Sequence, residues 1–368
     1  MVSDFNMPDL NYFNQAETID LKRTPWVNGY VSGTHGRIPR LRTIVDNKDK
    51  IGAIKVHLGI GRDNYMIPPG LYAVGNPNKS SPILVTANYK LTVDTLRCNL
   101  LNLDAWIIVV DTKGINVWCA AGKGTFSTYE VIKKIKELKL KELVSHRTII
   151  LPQLCAPGVA AYQVLRNSGF KAVFGPIKAG DIRGFIDNGM KATEEMRTIS
   201  FGAASRLLLT PIEVVHSFKV LLIMLVSVLI YNAVDYSSFY QSALIMNTLI
   251  GFVPLAVAVL TGCIIVPFLL PFIPFRAFAA KGLLGGIILD IVLILLKDNI
   301  IMLQSNLLLL IAYCMIIPSA TTLLSLNFTG STTYTSFSGV KKETKLTLPI
   351  VKSAAVIGVI LAIASKLL

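Results

Sequence analysis

The residue types most able to do chemistry are concentrated in one octapeptide, which follows an apolar, strand-like run. Its cysteine, Cys119, would lie at the start of a short helix, where unsatisfied backbone N–H groups favour a thiolate. A thiolate suits a soft or borderline metal, and the small residues after it leave room for a large flat ligand. The pattern indicates one protein ligand to a metal centre that already holds its others, with a buried structural cysteine as the alternative. The eight residues are Asn116, Val117, Trp118, Cys119, Ala120, Ala121, Gly122 and Lys123.

The other residues of the octapeptide have their own expected roles. We expect Asn116 to cap the helix through its side-chain oxygen, and Trp118 to position the helix by packing. Lys123 begins a Lys-Gly-Thr string that resembles part of a phosphate-binding loop. However, Val117 stands where that motif needs its first glycine, and Gly124 stands where it needs Ser or Thr. The string therefore does not predict nucleotide hydrolysis.

The elements that must position these residues follow from the hydrophobic pattern. Short apolar runs alternate with helical patterns over residues 46–200, which is typical of an α/β domain with an open, Rossmann-like sheet. Residues 1–45 form a polar extension for which we predict no regular structure, and residues 201–212 form a linker. We predict parallel strands over 82–86, 105–110, 148–151 and 171–174, and helices over 93–101, 127–140 and 158–167, the last ended by Gly169.

Ligands of open α/β sheets bind beyond the carboxyl ends of the strands. The loops after three of the predicted strands would form one pocket, and the octapeptide would cap its mouth. Cys155, in the third loop, is expected to be an inert small residue, with a role in relaying a metal as the alternative. Candidates to line the pocket, each of which could also be a plain turn residue, are Thr86, Asn88, Thr112, Gly114, Pro157 and Gly158.

The chain of 368 residues is 52% hydrophobic, and the apolar excess begins at Ile212. We therefore predict a transmembrane domain over 213–368 after the α/β domain. Asp290 would lie at membrane depth, where a partner such as Lys281 or Lys297 would make it structural. Five spans are expected, at 213–233, 244–266, 277–297, 301–325 and 347–366, while the prolines around the second leave four or six open.

The distribution of charge predicts which side of the membrane each connection between spans faces. The second and fourth connections between spans carry most of the Lys and Arg residues. By the positive-inside rule they and the α/β domain face the cytoplasm, so we expect a multi-pass protein of the cytoplasmic membrane. The net charge of +14 suits membrane lipid or cofactor phosphates. The charges are scattered, with no recognition-helix, RNP-type or zinc-finger pattern, so nucleic-acid binding is not predicted.

Cysteine usage limits the redox chemistry of the chain. Five cysteines with no C-x-x-C spacing encode neither a disulfide framework nor an iron–sulfur cluster, so redox electrons would have to come from a partner protein. The four histidines share no spacing, and we assign none to a metal. The polar start of the sequence predicts no cleavable signal peptide.

The octapeptide resembles the signature of the membrane corrinoid proteins of microbial mercury methylation, the HgcA family. The resemblance runs from about residue 45 to the C-terminus, and the corrinoid domain is also similar to that of the corrinoid iron–sulfur protein of the acetyl-CoA pathway. Strings that resemble the family's corrinoid domain, in the same order, are Gly59–Arg62, Pro69–Tyr72, Ser81–Lys90 and Asp111–Gly114. Strings that resemble its last polar connection are Asn327–Gly330, Tyr334–Ser336 and Ser338–Val340.

The resemblance implies a corrinoid-dependent methyltransferase. It implies a cobalamin-type corrinoid with Cys119 as lower axial ligand of cobalt, a methyl group accepted on cobalt(I), and its transfer to Hg(II) to form methylmercury. A donating thiolate would favour release of the methyl group as a carbanion equivalent, with radical transfer left open. The implied partners are a ferredoxin-like protein with two [4Fe–4S] clusters as reductant and a methyl donor of folate type. Two alternatives remain: a membrane corrinoid methyl carrier with another acceptor, and a non-catalytic membrane scaffold.

Overall fold

The computed structural model describes residues 24–33, 36–199, 201–234, 241–331 and 337–367. The chain divides into two compact units. The first is an α/β unit that ends at Ile199 and omits residues 57–59. The second is helical and comprises residues 57–59 together with the chain after Ile199. The predicted combination of an open α/β sheet followed by apolar helices is confirmed.

The α/β unit is built on one mixed sheet of seven strands in the order β1-β2-β3-β5-β4-β6-β7. As predicted, β4 runs parallel to β5 and β6, and β6 runs parallel to β7. Every residue of β4 and β5 is buried, which explains their continuous apolar runs. The strands are β1 Val27–Gly33, β2 Gly36–Leu41, β3 Gly70–Val74, β4 Ile83–Ala87, β5 Ala105–Val110, β6 Thr148–Leu151 and β7 Lys171–Phe174.

The expectation that residues 1–45 lack regular structure is wrong for residues 27–33 and 36–41. There β1 and β2 pair antiparallel, and β2 joins the sheet beside β3. The glycines and Pro39 of this stretch read as strand breakers, whereas Ile38 and Leu41 are fully buried and anchor it to the sheet. The sheet is also not purely parallel, because β3 pairs antiparallel with β5. Residues 1–23 lie outside the described part of the chain.

The helices of the α/β unit cover both faces of the sheet with two apolar clusters. The helix that contains residues 161–168 ends at Gly169, whose φ of 78° is the left-handed conformation expected of a glycine cap. The helices are α1 Asn47–His57, α2 Lys90–Cys98, α3 Val117–Lys123, α4 Thr128–Glu137, α5 Leu140–Leu143, α6 Ala161–Ser168, α7 Ile182–Asp187 and α8 Glu194–Arg197.

In the helical unit, five described helices are long and apolar enough to cross a membrane. Pro254 does not end the second span, because α11 continues past it into a π-helical turn, Thr261–Ile265, and then α12. The helices are α9 Ala203–Leu207, α10 Thr210–Ala233, α11 Gln241–Leu260, α12 Val266–Leu269, α13 Phe278–Leu296, α14 Leu307–Asn327 and α15 Phe337–Leu367.

Asp290 lies in the middle of α13. Its Oδ1 atom is buried and has no hydrogen-bond partner among the described residues. Lys281 does not supply that partner, because its ammonium group donates to the carbonyl oxygens of Leu270 and Ile273. The salt bridge considered from the sequence is therefore not formed with Lys281.

Candidate functional site

A cavity of about 350 Å³ opens at the carboxyl ends of β4, β6 and β7. This is the edge of the sheet at which open α/β folds bind ligands. Most of the wall is apolar, and the segment that begins α3, residues 116–118, forms part of it. Side chains that contribute to the wall include Thr86 of β4, Thr92 and Thr95 of α2, Pro152 and Leu154 after β6, and Pro176 after β7.

The helix α3 is capped at both of its ends. Asn116 has extended backbone, and its Oδ1 accepts a hydrogen bond of 2.9 Å from the backbone N–H of Cys119. This is the N-cap predicted from the sequence. At the other end, Gly124 adopts a φ of 80° and closes the helix. The seven-residue helix is thus held in one orientation despite its length.

The inward face of α3 packs against the sheet. Val117, Ala120 and Ala121 belong to the apolar cluster that covers one face of the sheet. Gly158 lies directly beneath the helix, because a Cβ there would be 3.1 Å from the Cα of Ala121 and 2.5 Å from the carbonyl oxygen of Phe126. The small size of these residues therefore serves close packing inside the protein. The expectation that the two alanines admit a flat ligand is corrected by their burial.

The outward face of α3 carries Trp118, Cys119, Gly122 and Lys123. The indole of Trp118 is 38% exposed, the Cys119 side chain is half-buried, and the last two residues are exposed. A Cβ at Gly122 would meet no atom within 4 Å, and its φ is not in the left-handed region. Because neither packing nor backbone conformation requires glycine there, Gly122 leaves flat open surface one turn from the Cys119 thiol.

Three of the predicted pocket residues bond to one another. The Oδ1 of Asn88 accepts from the backbone N–H of Thr112 at 3.1 Å, from its hydroxyl at 2.8 Å and from the N–H of Gly114 at 3.0 Å. Asn88 is 1% exposed and Thr112 fully buried. This closed group shapes the loop that leads into α3. Direct contact of these three residues with a cofactor stays a prediction.

The third loop, residues 152–158, contributes differently from the prediction. Thr86 lines the cavity as expected, whereas Gly158 packs under α3 and Pro157 is exposed. Cys155 is fully buried, and this burial raises the pKa of its thiol to about 12. A thiol that stays protonated agrees with the expected inert role rather than with metal relay.

Sequence reasoning missed the part of the wall formed by α2 and by the loop after β7. The rule about strand ends would have found Pro176, because the β7 strand was predicted at its observed position. Thr92 and Thr95 had no such signal, since a threonine on an amphipathic helix reads as surface.

One buried polar atom without a partner in the described chain belongs to a residue that is adjacent in sequence to the cavity wall. The Oε1 atom of Gln153, next to the cavity residues Pro152 and Leu154, is buried and lacks a hydrogen-bond partner within the described part of the chain. A buried acceptor without a donor is costly unless a ligand or water supplies one. The site also offers a soft thiol, an exposed indole, an open surface at Gly122 and an apolar cavity. These features suit a ring system that carries amide groups and a soft metal.

The α/β unit is similar in sequence to subunits of acetyl-CoA synthase systems. The family pattern described as CO dehydrogenase/acetyl-CoA synthase delta subunit matches residues 62–185. The gamma subunit of the acetyl-CoA decarbonylase/synthase complex of Archaeoglobus fulgidus is 30% identical over 135 residues, which are 36% of this chain and 28% of that protein. The gamma subunit of Methanocaldococcus jannaschii is 32% identical over 124 residues, 33% of this chain and 25% of that protein.

This chain thus spans between a quarter and a third of the length of these relatives. The residues that match the family pattern lie in the α/β unit. The matched range begins in the loop after α1 and ends within α7, so it contains the cavity, α3 and Cys119. The predicted likeness to a subunit of the acetyl-CoA pathway is confirmed, because residues 62–185 match the delta-subunit family and about a third of the chain is similar to gamma subunits of acetyl-CoA decarbonylase/synthase complexes.

Proposed function

We propose that this protein is a membrane-anchored corrinoid protein that transfers a methyl group to inorganic Hg(II). The observation that carries the proposal is the position of Cys119, which lies on the outward face of a capped helix. The three residues before it, Asn116, Val117 and Trp118, line an apolar cavity of the described α/β unit, and Cys119 follows them directly without lining that cavity. A bound corrinoid would supply a cobalt centre that accepts and releases methyl groups. The likeness to acetyl-CoA synthase subunits supports this cofactor, because the matched domain resembles a corrinoid domain.

The residues of the chain have distinct tasks in this proposal. Cys119 offers a thiolate to the metal, and Asn116 fixes the helix by accepting from the N–H of that same residue. Trp118 covers the mouth of the cavity, and the apolar wall excludes water from the buried part of the ligand. Gly122 gives the flat surface on which a macrocycle can lie against α3. Gln153 accepts a hydrogen bond from an amide of the ligand.

A thiolate also explains the choice of acceptor. A strongly donating sulfur raises the electron density of the metal and favours departure of the methyl group toward an electrophile such as Hg(II). We further propose a ferredoxin-like reductant with two [4Fe–4S] clusters and a methyl donor of folate type. The α/β unit would face the cytoplasm, with the five apolar helices in the cytoplasmic membrane.

The test combines the visible spectrum of the purified protein with a methylation assay. Corrinoid absorbance is expected in the parent protein, with a thiolate-dependent band that disappears in Cys119→Ala, and methylmercury formation should fall to background in that variant. Cys98→Ala removes an exposed cysteine of the same unit and should change neither readout. Absence of corrinoid absorbance, or full activity in Cys119→Ala, would contradict the proposal.

A second candidate is a corrinoid methyl carrier with another acceptor. The similarity to subunits of acetyl-CoA decarbonylase/synthase complexes favours it, because those subunits are named for acetyl-CoA chemistry and not for mercury. The two candidates are separated by reconstituting the protein with methylcobalamin and adding Hg(II) with reductant. Bound cofactor without methylmercury would select the second candidate.

A further inference from the structure

The surface of α1 combines exposed isoleucines with lysines in an arrangement that the proposed methyl-transfer chemistry does not use. Ile51 is 54% exposed and Ile54 is 59% exposed. Residues three apart lie on one face of a helix, so the two side chains form a single outward stripe. Two neighbouring isoleucines at the centre of a solvent-facing helix surface are unusual, because that position normally carries polar residues.

The opposite face of α1 is fixed to the α/β unit. Asp49 and Val56 are buried, and Gly52 packs against Tyr65, whose hydroxyl would be 2.5 Å from a Cβ at that glycine. These three positions recur at helical spacing. The isoleucine stripe therefore cannot turn inward without losing this packing.

Lysines flank the stripe on both sides. At 3.6 residues per turn, Lys50 lies along one margin of the Ile51–Ile54 stripe, and Lys48 and Lys55 lie along the other. All three are exposed. The one acidic residue within α1, Asp49, is buried and bonded to Lys90 and Arg97, so the exposed formal charges of α1 at neutral pH are all positive when its terminal histidine is neutral.

The chain just outside α1 extends the same character. Ile44 precedes the helix and is 69% exposed, and Ile60 follows it and is 58% exposed. The backbone N–H of Ile60 bonds to the carbonyl oxygen of Lys55, which holds Ile60 at the end of the helix. Arg62, also exposed, adds a further positive charge. Exposed apolar and basic groups therefore occur on both sides of α1, and the acidic Asp46 before the helix is paired with Arg42 at 2.9 Å.

We propose that segment 44–62 binds the surface of an anionic membrane, with the isoleucines of α1 in the headgroup region and the lysines on lipid phosphates. Interfacial helices bury an apolar stripe at the headgroup boundary, and Lys side chains at the margins extend their ammonium groups to the phosphates. Basic residues near a membrane are attracted by anionic lipid. The same chain contains five helices long and apolar enough to cross a membrane, so a membrane surface is available to it.

The test places a reporter on the stripe in the full chain, reconstituted in lipid nanodiscs. Ile54→Trp adds one tryptophan, and lipids brominated near the headgroup quench tryptophans that touch them. Leu165→Trp on α6 is the matched control, because Leu165 is 50% exposed on a helix with one basic residue and no lysine. We expect the added emission of Ile54→Trp to be quenched several-fold more than that of Leu165→Trp in discs that contain phosphatidylglycerol.

A second experiment tests whether the lysines of α1 contribute to membrane binding. Replacing Lys48, Lys50 and Lys55 by Gln in the Ile54→Trp protein, or raising the salt concentration, should reduce the quenching. Equal quenching of the two reporters would overturn the proposal. Emission from Ile54→Trp that is shielded from lipid and already blue-shifted in detergent would also overturn it, because it would indicate that a protein segment covers the stripe. Equal quenching in phosphatidylcholine alone would overturn the preference for anionic lipid.

Discussion

Two regions of the α/β unit contain residue types that enzymes use, and they differ in what surrounds them. In the ion cluster, Asp49 bonds to Lys90 and Arg97 at 2.6 Å each, and Asp94 bonds to the same two at 2.6 and 2.8 Å. All four side chains are at most 8% exposed. On the outward face of α3, by contrast, Cys119 is half-buried beside open surface. Closed sets of partners mark groups that hold the fold, whereas reactive groups beside open space mark a site.

The ion cluster explains how the chain before α2 is attached. The guanidinium of Arg97 also donates to the carbonyl oxygens of Arg42 and Ile44. One fully buried side chain thus joins α2 to α1 and to the segment after β2. If the cluster is structural, its disruption should lower the stability of the α/β unit strongly.

Arg97→Met should give the largest loss of stability. Removing one partner of a buried ion network leaves uncompensated carboxylates and costs about 3–5 kcal/mol. For a unit of this size this corresponds to a decrease of roughly 6–20 °C in unfolding midpoint. Tryptophan fluorescence is a selective measurement, because Trp26, Trp106 and Trp118 all lie in the α/β unit.

The matched control for that variant is Lys113→Met. Lys113 pairs with Asp111 at 2.7 Å but is 74% exposed, and exposed ion pairs contribute about 0–1 kcal/mol. An unfolding midpoint for Arg97→Met that equals that of Lys113→Met would show that the buried cluster is not structural.

Gly158→Ala should cause the next largest loss of stability, because it adds a methyl group beneath the inward face of α3. The added methyl group would press on backbone atoms of Phe126 and Ala121, which cannot rotate away. Overpacking of this kind costs about 1–3 kcal/mol, or roughly 2–12 °C. We expect a lower midpoint together with weaker corrinoid retention, measured by fluorescence and by absorbance after gel filtration. A variant with the parent midpoint would argue against tight seating of α3.

The pH dependence of stability should follow the ion cluster. Burial would raise the pKa of Asp49, but hydrogen bonds from Lys90 and Arg97 outweigh it and hold that pKa below 3.8. Burial would lower the pKa of Lys90, but Asp94 and Asp49 raise it above 10.5. The carboxylate contribution is complete above the unfolded pKa of 3.8 and is lost as pH falls through the folded value. The ammonium contribution is complete below 10.5 and is lost as pH rises through the folded value.

The contribution of the cluster should therefore be constant from about pH 5 to about pH 9 and decrease on both sides. The measurement is the fluorescence midpoint of the parent protein and of Arg97→Met across this range. In Arg97→Met the acid branch should be shallower, since Asp49 has lost one of its cationic partners. If the acid branches of the two proteins were identical, the pH dependence of stability would not arise from this cluster.

Gly122→Ala should have the smallest effect on stability and thereby sharpen the contrast between the two faces of α3. Its Cβ meets no atom, so the midpoint should stay within about 2 °C of the parent value or rise slightly, as helical alanine is favoured over glycine by about 1 kcal/mol. Corrinoid retention should nevertheless fall, because the methyl group occupies the proposed ligand surface. Unchanged retention would place the macrocycle elsewhere.

How much of the fold was predictable depends on where each signal lies. The four parallel strands were predicted within a residue of their observed bounds, because strands buried on both faces have nearly unbroken apolar sequences. The hairpin of β1 and β2 was missed, because its few buried residues stand among glycines, a proline and charged residues that are typical of turns. Antiparallel pairing of β3 with β5 has no local signature, since it depends on the path of the chain between them.

The site shows the same division between local and distant information. The N-cap formed by Asn116 was predictable, since it needs only a polar residue three positions before the N–H that it accepts from. The structural roles of Asn88 and Gly158 were not, because each depends on residues more than 20 positions away. The same holds for Thr92 and Thr95, which reach the cavity only because α2 packs beside β4.

The sequence by itself determined the residue types of the site, the parallel strands and the five apolar helices, because propensity, capping and hydrophobic periodicity act between neighbours along the chain. Only the tertiary structure decided which face of α3 is open, which polar residues are tied to one another, and which helix presents isoleucines to its surroundings. The physical reason is that burial and hydrogen-bond partnership are set by segments distant in sequence, and a residue type alone does not specify them.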